Sequence, residues 1–71
     1  RTPTDHLKRR KISDADAEAY IGKKFRKIFD GTPFEGEVMQ YFQNKNYTLF
    51  HVVYEDGDRE DLSVAQLMAA L

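Results

Sequence analysis

The stretch from Phe50 to Asp61, FHVVYEDGDRED, constrains the fold more than any other. An aromatic and β-branched run enters an acidic turn and leaves it as a second short run, the pattern of a β-hairpin. Val52, Val53 and Tyr54 suit a pleated, half-buried backbone. Asp56-Gly57 is the dipeptide of a two-residue type I′ turn, whose central residues both need positive φ. Glu55, Asp56, Asp58, Glu60 and Asp61 crowd the tip with only Arg59 among them, so this end of the sheet is predicted to attract a cation.

Length decides what can be packed around that hairpin. A chain of 71 residues makes one small domain, which buries only about 60% of its unfolded surface, so the core must be compact. The absence of Cys rules out a disulfide framework and a thiolate metal site. Apolar runs stay far below the roughly 18 residues of a membrane span, and no signal-peptide pattern opens the chain. A soluble chain, with no membrane partner, is predicted. Because it opens on Arg1 rather than Met, it is expected to be a piece of a longer protein; within that protein a monomeric domain is expected.

Arg1 to Lys11 carries Pro3, polar residues and a basic run, Lys8, Arg9, Arg10 and Lys11, and is expected to be disordered. Ser13 to Tyr20 reads as a short helix, with Ser13 as cap, Asp16 at the capping-box position, and Tyr20 and Ile21 resting on the domain. Residues 1–20 are thus predicted as a basic, largely disordered tail with a short helix at 13–20, and 21–71 as the globular domain. From Lys23 to Phe29 apolar and charged residues alternate, with Phe25 and Phe29 on one face and Lys24 and Arg26 on the other. Asp30-Gly31-Thr32-Pro33 is a loop by turn chemistry. Phe34 to Phe42 is a second strand, where Gly36 marks a bulge or a close backbone approach. Tyr47 to Glu55 and Arg59 to Leu62 are the third and fourth.

A terminal helix follows. Ser63 and Gln66 form a capping box, Leu62 and Leu67 occupy the staple positions, and Val64, Leu67, Met68 and Leu71 recur at helical spacing toward the sheet. Phe25, Val38, Phe50 and Val52 are predicted core, while Tyr41, Phe42 and Tyr47 are expected against this helix. Short antiparallel strands in so short a chain imply a strongly bent sheet. The fold class is mostly β: a small SH3-like barrel of four to five antiparallel strands, with a short C-terminal helix and a short N-terminal one.

The order Ile21-Gly22-Lys23, Phe29-Asp30-Gly31, Phe34-Glu35-Gly36-Glu37-Val38, Val52-Val53-Tyr54-Glu55-Asp56-Gly57-Asp58 and Glu60-Asp61-Leu62 resembles a Tudor or Tudor-like domain of the Royal superfamily, as in chromatin proteins. The likeness covers residues 21–71. It implies a nuclear chromatin reader that holds methylated lysine of a histone tail in an aromatic cage. A methylated ammonium keeps its charge but loses hydration, and ring faces hold it by cation–π attraction of about 0.5–2 kcal/mol. By position the cage would be Phe29, Phe34 and Tyr54 with Asp56 as its acid; Ile28 takes the place of Phe29 if the strand slips by one residue. Glu60 departs from the family, several members of which have an aromatic there. With Asp56 and Glu60 both able to accept an N–H, mono- and dimethyl lysine are expected over trimethyl.

Two other readings compete with the reader. Lys23, Lys24, Arg26 and Lys27, with Lys8 to Lys11, suit phosphate contacts to DNA or RNA with steep salt dependence. The barrel rim also suits a peptide taken without regard to modification. Enzyme chemistry finds no constellation. His6 and His51 lack metal-site spacing, and Ser13 and Ser63 sit at caps. Asp56-x-Asp58-x-Glu60 resembles the start of a calcium loop, but Asp61 and Leu67 stand where Gly and Glu are required. No cofactor and no metal are expected.

Overall fold

The computed structural model describes residues 10–71. The chain runs α1 (Asp14–Glu18), β1 (Lys24–Phe29), β2 (Thr32–Gln43), β3 (Thr48–Tyr54), β4 (Arg59–Ser63) and α2 (Val64–Ala70). The fold is mostly β, with four antiparallel strands in one sheet ordered β1-β2-β3-β4 and a short helix at each end. β2 gives its first half to β1 and its second to β3, sharing residues only around Gly36 and Glu37. Its register shifts between Val38 and Gln40, and an extra residue there bends the strand. The bulge is therefore at Met39 and not at Gly36. Gly36 is instead the close approach: a Cβ on it would lie 2.7 Å from Tyr54 Cε1 and 3.0 Å from Phe25 Cζ.

The two hairpins divide the turn chemistry differently from the sequence expectation. Phe29 pairs directly with Thr32, and Asp30 (φ 51°) and Gly31 (φ 79°) between them are both left-handed, as a type I′ turn requires. In the β3–β4 hairpin the Gly57 N–H donates to the Tyr54 carbonyl and the Tyr54 N–H to the Asp58 carbonyl. Only Gly57 is left-handed there (φ 92°). The loop is thus Glu55-Asp56-Gly57, with the glycine closing it, rather than a two-residue Asp56-Gly57 turn.

Phe25, Val38, Phe50, Val52, Tyr54, Leu62, Val64 and Leu67 form the core with Ala17 of α1. Fully burying each large apolar side chain contributes about 1.5–3 kcal/mol. Ser63 caps α2 by accepting the Gln66 N–H, and the Gln66 side chain returns to the Ser63 N–H. A Ser63→Ala variant is expected to lose about 1 kcal/mol, which a thermal melt would show as a Tm about 4–8 °C lower. Only part of the predicted α2 face points inward: Val64 and Leu67 are buried, whereas Met68 and Leu71 are exposed.

The chain before β1 is attached in part. Ser13 caps α1 by accepting the Asp16 N–H, Tyr20 meets Phe50 edge-on at 5.6 Å, and Ile21 is exposed. The Arg10 carbonyl accepts the Thr48 N–H, and the buried Thr48 hydroxyl takes the N–H of Ile12. Residues 1–9 of the expected disordered tail, including His6, Lys8 and Arg9, lie outside the described residues. Tyr41 turns to α1 rather than α2, its hydroxyl donating to Asp14 Oδ1. Its phenol ionises above the ordinary tyrosine range, through desolvation first and the Asp14 and Glu18 carboxylates next. Phe42 is exposed on the outer face.

Candidate functional site

Strand alternation and the β1–β2 turn bring three rings together. Phe29 ends β1 and Phe34 follows the Asp30-Gly31 turn, with ring centroids 5.9 Å apart. Tyr54, at the end of β3, meets Phe29 edge-to-face at 5.2 Å and Phe25 at 5.9 Å. Edge-to-face contacts at such distances are favourable for aromatic quadrupoles. Phe29 and Phe34 are half-buried, while Tyr54 is only 2% exposed and forms the inner wall. Ile28 points away and is exposed, so the strand is not slipped.

Glu60 of β4 supplies the carboxylate. Its Oε2 accepts the Tyr54 hydroxyl at 2.5 Å and the Lys27 ammonium at 3.1 Å. Asp56 sits at the exposed hairpin tip, where its side chain accepts the Asp58 N–H; it shapes the turn. Exposed Glu55 and Asp58 leave the surroundings acidic.

Lys27 is the residue that sequence reasoning placed with the wrong neighbours. It stands opposite Phe34 in the register, on the face of Phe25 and Phe29, and its Nζ lies 5.6 Å from the Phe29 ring centroid. Strict alternation from Phe25 was the available signal. The remaining basic candidates face outward: Lys24 is opposite Glu37 and Arg26 opposite Glu35, so an acid matches each cation. Lys23 is exposed before β1, and Arg10 and Lys11 are exposed beside the attached N-terminal segment. On the outer face His51 Nδ1 is 3.0 Å from Asp61 Oδ1, its cross-strand partner. Among the described residues no group of three or more His, Cys, Asp or Glu could hold a metal ion, and no helix is long and apolar enough to cross a membrane.

A small bent sheet that gathers aromatic rings and a carboxylate at one end has the build of a peptide- or protein-interaction module. The family model described as PTM/DIR17-like, Tudor domain matches residues 22–71, and the chain belongs to that family. Tudor domains are non-enzymatic interaction modules, which indicates a protein or peptide partner. Comparison with curated proteins and with solved structures gives no match.

Proposed function

We propose that this domain binds a methylated lysine on a basic, histone-like tail in the nucleus, favouring the mono- and dimethyl states. The observation that carries the reading is the convergence of Phe29, Phe34 and Tyr54 beside Glu60. Ring faces suit a weakly hydrated methylammonium, and a carboxylate suits one that still has an N–H to donate. Glu60 takes the acidic role, since Asp56 is committed to its turn. The exposed acids around the hairpin complement a basic tail and raise its rate of encounter. The outward cations of β1 face carboxylates across the strand pair, an arrangement poorly suited to tracking phosphates.

A methyl-peptide array is the test. Mono- and dimethyl-lysine peptides should bind more tightly than the trimethyl form, which offers Glu60 no donor, and than the unmodified form. Equal binding of modified and unmodified peptides would make this a modification-independent module. Tightest binding by the trimethyl peptide would remove the role given to Glu60.

A further inference from the structure

The position among Phe29, Tyr54 and Glu60 already holds a cation in the free protein. Lys27 Nζ lies 5.6 Å from the Phe29 centroid, inside the ~6 Å reach of a cation–π contact. It is also 3.1 Å from Glu60 Oε2, the oxygen that accepts the Tyr54 hydroxyl. We propose that Lys27 is a self-ligand: its ammonium fills the cation position of the ring cluster, and an incoming methylammonium binds only by displacing it. The proposal rests on the reading of that cluster as the peptide's cation site.

The two partners differ in their freedom to move. The Lys27 side chain is 38% exposed and that of Glu60 9%, and a lysine stem is long enough to swing its ammonium into water. Glu60 is tied to Tyr54, whose ring is packed against Phe25 and Phe29. When Lys27 leaves, a nearly buried carboxylate gives up this ion pair, which is costly until another cation takes its place. The resident ammonium therefore screens ligands. A neutral side chain cannot replace that ion pair, and a cation must outcompete a lysine tethered on β1, at the other edge of the sheet. Observed affinity is the intrinsic affinity scaled down by the fraction of molecules with Lys27 swung out.

A purely structural role is the rival explanation, because Lys27 and Glu60 also join the two edge strands β1 and β4. Titration with dimethylammonium chloride at constant ionic strength, followed by NMR at the Phe29 and Tyr54 ring signals, separates the two. Lys27→Met keeps an unbranched side chain only one atom shorter and removes the charge. It should respond at concentrations at least tenfold lower than wild type, while Lys27→Arg should respond no better than wild type. Equal or weaker response by Lys27→Met, or no response by any of the three proteins, overturns the proposal.

Wild type gives a second measurement that does not depend on how well Lys27→Met folds. Its Lys27 Hε resonances should be ring-shifted in the free protein and move toward solvent values as dimethylammonium is added. Shifts at Phe29 with Lys27 Hε unmoved also overturn the proposal. If Lys27→Met answers dimethylammonium as stated but methylated and unmethylated peptides bind alike, the methyl-lysine reading fails and the self-occupied site stands.

Discussion

Replacing Gly36 by valine is expected to leave the domain unfolded at 25 °C, and replacing it by alanine to lower the Tm by more than 10 °C. A Cβ at this position would lie 2.7 and 2.9 Å from two atoms of the Tyr54 ring and 3.0 Å from the Phe25 ring. Both rings are buried and touch each other, so neither can retreat without disturbing the core. Overpacking typically costs about 1–3 kcal/mol and sometimes more. A domain this small has roughly 5 kcal/mol to lose. Gly57→Ala is the control, because no atom lies within 4 Å of its added Cβ and only the positive φ is strained, at about 1 kcal/mol. Circular dichroism melts of the variants decide the matter. A Gly36→Ala domain melting within about 2 °C of wild type would mean that the rings yield easily.

Phe29→Ala is expected to weaken binding of a dimethyl-lysine peptide at least tenfold, about 1.4 kcal/mol, while the domain stays folded. Phe29 is the ring that touches Phe34, Tyr54 and the Lys27 ammonium, yet it is half-buried at a hairpin end. Its removal takes away a cation–π wall and only part of a core residue. Tyr54→Ala makes a poor test of binding, since that side chain is 2% exposed and its truncation is expected to cost about 3–5 kcal/mol as a core cavity. Calorimetric titration of Phe29→Ala, with its amide spectrum checked for native dispersion, tests the prediction. Undiminished affinity with a native spectrum would place the peptide elsewhere.

Local chemistry carried much of the fold. The Ser63–Gln66 box, the alternation of β1 and β3, and the core positions Phe25, Val38, Phe50 and Val52 all rest on signals confined to a few neighbouring residues. The turns show where such signals end. Asp-Gly occurs in both hairpins, at 30–31 and 56–57, but only the first is a two-residue turn. Loop length goes with the register of the whole strand pair, which the buried face specifies together with the turn. Gly36 looked like a bend because glycine suits bulges, but the bend came at Met39 and the glycine served to admit the Tyr54 ring.

The sequence by itself determined which segments become strands and helices, because periodicity, capping and turn residues act over a few positions. It also marked the aromatic and acidic residues from which a site could be made. Only the tertiary structure decided that Tyr54 is an inner wall, that Asp56 belongs to its turn, and that Lys27 stands between Phe29 and Glu60. The reason is physical: β1 and β4 are opposite edges of the sheet, and no local pattern reports how far a sheet curls to bring its edges together.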